Sequence, residues 1–479
     1  MTLAAAVPAA TIDIGPRTAM HALSRLGFGP GPGDIRQVLA KGLQRYIEEQ
    51  LDPTPDPDLD SRLRGFGTLR YPITQVLSLY EADQRSIGPI VDEFVGAKII
   101  RAVHSKNQLE EVLVDFWFNH FNVNIGDGFV RYSIMAYERD AIRPRVLGRF
   151  RDLLGAVAAH PAMLYYLDNY LSTASRIDPR TGRLIQGLNE NYGRELMELH
   201  TVGVDAGYTQ EHVFDAARCF TGWGIDNLRT TGAFVYRSQQ HDSGAKSVFG
   251  LSVPAGGGRD DGEKLLDYLA THPSTAHFIS KKLAERFVAD DPPQTLVDRM
   301  ASTFLGSNGD IRGVLRSMID SPEFWAAAFG PGKPRTSFEF AIAALRAADA
   351  QVTAGRGVAP AVSAMGMPLY ACIPPTGYSN RGTDWLNPSS QLNRMNFALD
   401  LAANAIAGVT VDARGTVRSA SGNPEDPRSV ASSLNADLFG RGLSAATLSA
   451  LSRLAPTGPV SVAARGLGLA LASPEMQVR

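Results

Sequence analysis

The sequence predicts a mainly α fold: a large multi-helix globular domain with a minor β-hairpin and a small helical C-terminal appendage. Three observations carry that expectation. Apolar residues recur three or four apart through most of the 479 residues. Strand-like alternation is confined to one short stretch. No strand–helix alternation occurs, and no glycine-rich phosphate loop follows a strand, which argues against dinucleotide or nucleoside triphosphate binding of the usual kinds.

The elements follow in chain order. Residues 1–16, "MTLAAAVPAATIDIGP", are Ala-rich with no Lys or Arg, lack the basic start of a secretory signal, and are read as an N-terminal extension. Amphipathic spacing then marks "GDIRQVLAKGLQRYIEEQL", "PITQVLSLYEADQR", "VDEFVGAKIIRAVH" and "NQLEEVLVDFWFNHF". It continues through "FRDLLGAVAAHPAMLYYL", "GRELMELHTVG", "HVFDAARCFTGW", "EKLLDYLATH" and "TAHFISKKLAERFV". Helix starts are marked by Thr209, by Pro273 with Ser274, and by Thr336. "GAFVYRSQQH", residues 232–241, follows a Gly/Asn/Thr-rich turn and predicts the hairpin. "PAGGGRDD", residues 254–261, predicts an exposed loop. Residues 17–410 form the main helical domain, 411–427 a polar linker or long loop, and 428–479 the small C-terminal segment.

Composition narrows the function classes. Hydrophobic residues make up 44% and charged residues 20%, enough for a sizeable core, and 47 basic against 49 acidic residues leave a net charge of −2. With no dense Lys/Arg run, a nucleic-acid partner is not expected. No stretch approaches the ~18 apolar residues of a transmembrane segment. The compartment, cytoplasm or periplasm, stays open. The two cysteines, Cys219 and Cys372, are too few for a zinc ribbon or a disulfide framework, and Cys219 on an apolar stripe reads as a buried, inert thiol.

Chemistry concentrates between residues 115 and 246. In "NENYGRELMELH", residues 189–200, a helical step of 100° places Asn191, Glu195 and Glu198 on one face with Arg194 at its edge. Gly193, Leu196, Leu199 and His200 fall on the core side. Two like charges three residues apart are stable when solvated, or when a basic group or a cation lies between them. In "DFWFNHFNVN", Asn119 and His120 close an aromatic helix, and a lone histidine there is more often a hydrogen-bonded core residue than a ligand. Asp168 and Asn169 end "HPAMLYYLDN", where a turn is the favoured reading. His241 and Lys246 lie in "HDSGAK".

These segments occur in the order found in a large bacterial family, the domain of unknown function 1800, which the chain resembles from about residue 20 to about residue 400. "NENYGRELMELHT" is the most specific part. The closing block "PPTGY…W…RMNFA" retains Trp385 and Arg394 but has Tyr378 where the family usually has Trp. The resemblance implies no established activity. It implies site positions at Asn119, His120, Asp168, Asn169, Asn189, Glu190, Asn191, Arg194, Glu195, Glu198, His200, His241 and Lys246, and a sulfatase- or alkaline-phosphatase-like protein encoded nearby as partner.

Two readings lead, ahead of a third in which a helical toroid acts on a polysaccharide with Glu195 and Glu198 as acid and base across an open cleft. The first is a metal-dependent, hydrolase-like enzyme: Glu195, Glu198 and His120 as ligands of a divalent metal or, with Asp168 and Arg194, as catalytic groups. Asn119, Asn169, Asn191, His241, Lys246 and Trp385 would then bind substrate. The second is a non-enzymatic module for a partner protein or an extracellular polysaccharide, with Tyr165, Tyr166 and Tyr170 as aromatic contacts.

Overall fold

In the computed structural model, which describes residues 14–178, 180–185, 187–419, 422–439, 442–455 and 460–479, helices begin where side chains accept from otherwise orphaned amides. Thr209 accepts from the His212 amide (3.4 Å) at the start of helix Gln210–Phe220. Thr336 and Glu339 cap helix Ser337–Ala347 reciprocally. Pro273 opens helix Pro273–Phe287, but the accepting group is His272 Nδ1, 3.1 Å from the Ser274 amide. Most of the expected N-terminal extension lies outside the described residues.

The described residues contain 24 α-helices and four two-stranded antiparallel pairs, so the chain is mainly α. The predicted hairpin is present: Trp223–Asp226 pairs with Ala233–Tyr236. The other three pairs span only two or three residues per strand, too short to leave an alternation in the sequence. No helix among the described residues is long and apolar enough to cross a membrane.

Helix Gln108–His120 runs through the core. Leu109, Val112, Leu113, Phe116 and Trp117 are all buried, which explains a sequence apolar on nearly every face. Its polar end docks a long loop: Asn122 Nδ2 donates to the Cys372 and Pro374 carbonyls (3.0 and 2.9 Å), and the Ile125 amide donates to the Tyr370 carbonyl (2.8 Å). Both cysteines are free and buried, and burial pushes the Cys219 thiol up to about 12 and the Cys372 thiol to about 11. Neither thiol is ionised near neutral pH.

Residues 411–427 carry the helix Ala413–Ser419. Beyond them, helix Val462–Leu471 packs on Pro388–Ala402, and the last residues pair with 333–335. The Arg479 guanidinium lies 3.1 Å from Glu339, which also pairs with Arg286.

Candidate functional site

The segment Asn191–His200 starts as a helix, Asn191–Glu195, and widens into a π-turn over Leu196–His200. Asn189 Oδ1 accepts the Asn191 amide (3.0 Å), a turn that leads into the segment. The wider turn ends with Thr201 Oγ1 donating to the Leu196 carbonyl (2.6 Å). This breaks the 100° step assumed from the sequence. Gly193, Leu196 and His200 are buried as that step places them, but Met197 takes the core position expected for Leu199, which is only partly buried.

Gly193 fixes where this segment sits. A Cβ there would lie 2.6 Å from the Ala217 amide nitrogen and 2.9 Å from its Cα, backbone atoms that cannot swing aside. Gly193→Ala should therefore push the segment off helix Gln210–Phe220 and lower stability by about 1–3 kcal/mol. A denaturation midpoint equal to wild type would show that the two helices separate freely.

Arg194 is engaged by three side chains. It bonds Glu190 (2.8 Å), Glu198 (3.2 Å) and Gln210 (2.9 Å). Tyr208 faces the same carboxylates and feels the charge of Glu198. Glu195 is left without an ion pair or hydrogen bond among the described residues. Its carboxyl is raised above the usual range by burial first and by the negative charge of Glu198 second, with Arg194 opposing. Its charge reaches Tyr166, whose hydroxyl donates to the Ile373 carbonyl (2.5 Å).

His120 is not beside these carboxylates as a third ligand. Its Nε2 lies 3.2 Å from the His200 carbonyl, to which it donates, and its ring packs against Phe116, Trp117, Phe121 and Phe278. Burial holds its pKa well below the ordinary value, with Lys282 and His200 adding to the effect. Among the described residues no group of three or more His, Cys, Asp or Glu side chains is placed to hold a metal ion. The expected Glu195–Glu198–His120 ligand set is not assembled: Arg194 occupies Glu198, and a backbone carbonyl occupies His120.

Most other candidates bind their own backbone. Asn119 clamps Tyr378 from both sides, accepting its amide and donating to its carbonyl, each at 2.7 Å. Tyr378 packs edge-on against Trp385, whose Nε1 donates to the Ser379 carbonyl (3.1 Å). Asn169 is fully buried and donates to the Phe220 and Trp223 carbonyls (3.2 and 2.9 Å). Asp168 is exposed in a left-handed turn (φ 58°), the residue class that tolerates that conformation. Asn191 is partly buried at the start of the motif helix. Tyr165 and Tyr170 stack on each other, ring centroids 5.0 Å apart.

His241 and Lys246 form a separate buried cluster around a residue the sequence reading missed. Lys246 Nζ lies 2.6 Å, and His241 Nε2 3.2 Å, from Asp261 Oδ2. All three side chains are at most 2% exposed. Asp261 had been placed in an exposed loop; its neighbour Asp260 is exposed, but Asp261 turns inward as the buried counter-ion. Also missed were Lys282 and Glu285, on the helix opposite the end of the motif. Their signal was present: Lys282 follows Phe278 by four and Ile279 by three, so it lies on the apolar side of its helix.

Comparison with known proteins adds a family and no activity. The model of the family described as "Protein of unknown function (DUF1800)" matches residues 21–478. No curated protein matches the chain, and no solved structure does.

Proposed function

We propose, from the premise that this chain belongs to the DUF1800 family, that it is an enzyme of hydrolase-like acid–base chemistry in which Glu195 carries the proton. The observation that supports this reading is the contrast within one short segment. Glu190 and Glu198 share Arg194, whereas Glu195, one residue from that guanidinium, has no partner and a raised pKa. A carboxyl that burial makes hold its proton to higher pH than an ordinary glutamate is better suited to donate it to a leaving group.

The test pairs a titration with a substrate screen. Carboxyl-resolved NMR of the wild type, assigned with Glu195→Gln, is expected to place the Glu195 midpoint above that of an ordinary glutamate. Chromogenic esters, phosphates, sulfates and glycosides form the screen. Turnover of any hit should fall about 10²–10⁴-fold in Glu195→Gln while the circular dichroism is unchanged. An ordinary midpoint, or turnover equal in the two proteins, would sink the reading.

One observation favours the non-enzymatic alternative. Asn119, Asn169, His241 and Lys246 are all spent on holding their own chain, as polar networks that fix a single packing do. Helix Pro388–Ala402 also leaves Leu392, Met395 and Leu399 exposed. On that reading the protein is an assembly module, and a partner such as a sulfatase-like neighbour would co-purify with the wild type but not with Met395→Asp.

A further inference from the structure

The signature segment ends in "HTVGVDAG", and that turn faces helix Pro273–Phe287 across an open cleft of about 620 Å³. The volume is in the range of small-molecule sites. Gly203 builds the closest approach. Its φ is +86°, and a Cβ there would meet the Phe278 ring at 2.9 Å. The two sequence segments "HTVGVD" and "FISKKL" therefore form the opposed walls.

Lys282 lies in this cleft, partly buried. Its Nζ makes no ion pair and no hydrogen bond among the described residues; it lies 5.4 Å from the centroid of the Phe278 ring. The rest of the chain treats such lysines differently. Among the described residues the other lysines that are not exposed each hold a carboxylate: Lys98 with Asp115 (2.7 Å), Lys246 with Asp261 (2.6 Å), and Lys333 with Asp290. An ammonium taken partly out of water without a counter-charge costs stability unless something supplies that charge.

We infer that the cleft between residues 202–206 and helix Pro273–Phe287 is a binding site for a small ligand bearing an oxyanion, carboxylate or phosphate, with Lys282 as the group that receives it. The surrounding charges fit an anion at this point. Lys281 is exposed at the rim on the same helix, whereas Lys333 and Arg381, which act on Glu285 from neighbouring segments, are already paired with Asp290 and Asp291. His277 is engaged by Gln294 (2.8 Å). Two acids face the cleft as well: Asp205, exposed on the turn, and Glu285, which has no ion pair and whose carboxyl is raised by burial, with Lys281, Lys282, Lys333 and Arg381 opposing. Behind Lys282 stand His120 and His200, whose rings both feel its charge; burial lowers both, and they stay neutral at pH 7. Neither nitrogen of the His200 ring has a hydrogen-bond partner. Burial draws the Lys282 ammonium itself down to about 8, with Glu285 opposing, so an anion bound there restores a charge that the site alone supports poorly.

The test is calorimetric titration of the full chain with inorganic phosphate and, separately, with malonate. Saturable binding of either at pH 7 is expected, and the anion that binds assigns the headgroup, phosphate or carboxylate. Lys282→Met should weaken it at least about tenfold and Lys281→Gln should leave it within about twofold. Above pH 8 the wild-type affinity should fall by about tenfold per pH unit as the ammonium deprotonates. If Lys282→Met does not fold, Lys282→Arg should bind and lose the fall in affinity above pH 8, because a guanidinium stays charged there. Absence of saturable heat with both anions, equal weakening by Lys281→Gln, or affinity independent of pH between 7 and 9 would each overturn the assignment. None of these outcomes bears on Glu195, whose titration is read separately.

Discussion

Asp261→Ala is expected to destabilise the protein by about 3–5 kcal/mol, the range for stranding one member of a buried ion pair. The carboxylate lies 2.6 Å from Lys246 Nζ and 3.2 Å from His241 Nε2, and water reaches none of the three. Without it, Lys246 retains only the Asp242 and Gly244 carbonyls (2.6 and 2.9 Å), which orient an ammonium but do not neutralise it. The strand pair Lys246–Val248 with Leu251–Val253 would then lose its anchor on helix Asp260–Ala270. Denaturant midpoints measure the loss. The double variant Asp261→Leu, Lys246→Met should recover much of it, because an apolar pair of similar volume leaves no buried charge behind. A loss below about 1 kcal/mol in Asp261→Ala would mean that water enters the cluster, and the substrate-binding reading of His241 and Lys246 would regain force.

That cluster also shows how far the sequence could be read. His241 and Lys246 stand out in "HDSGAK", but their partner sits fifteen residues past Lys246, in a Gly/Asp-rich stretch that looks solvated. Only the fold reveals that one of two adjacent aspartates turns inward. The longer helices were legible because they repeat their apolar pattern over two or more turns, and caps such as Thr209 and Thr336 are local signals. The π-turn was not: one extra residue in a turn leaves no trace in composition, yet it moves Met197 inward and Leu199 outward. The carboxylate face was legible, with Glu195 and Glu198 both partly buried. Which of them stays unpaired was not, because Arg194 also bonds Glu190 and, on the next helix, Gln210, two groups that bond each other. Lys282 was legible in principle from its spacing to Phe278 and Ile279, but the facing turn that makes a cleft of it is visible only in the fold.

Acidification should unfold the protein well before its carboxylates titrate. Burial holds His200 at about 3, with Lys282 adding a smaller push, and holds His160 at about 3; His120 is likewise well below its ordinary value. In the unfolded chain each returns to about 6.5. Between those values the unfolded state binds protons that the folded state refuses. The stability these rings confer is therefore fully present above about pH 6.5 and is lost as pH falls from there towards 3. Each contributes about 1.4 kcal/mol per pH unit over that window, so two or three of them approach the whole stability of an ordinary domain by about pH 5. The raised carboxyls of Glu195 and Glu285 work in the opposite sense, but only once pH nears their own range. Asp290, held at about 2 by Lys333 and the Gly382 and Thr383 amides against the opposing effect of burial, adds to the acid loss only below the ordinary carboxylate range. The window from 6.5 to 5 thus belongs to the histidines. His200→Leu separates them from everything else. Its ring nitrogens have no hydrogen-bond partner, so an apolar side chain there should be near neutral or stabilising at pH 7. Denaturation midpoints at pH 7, 6 and 5 should show that it flattens the acid slope by one proton. A slope identical to wild type would mean that water or a bound anion beside Lys282 lets the His200 imidazole charge within the fold.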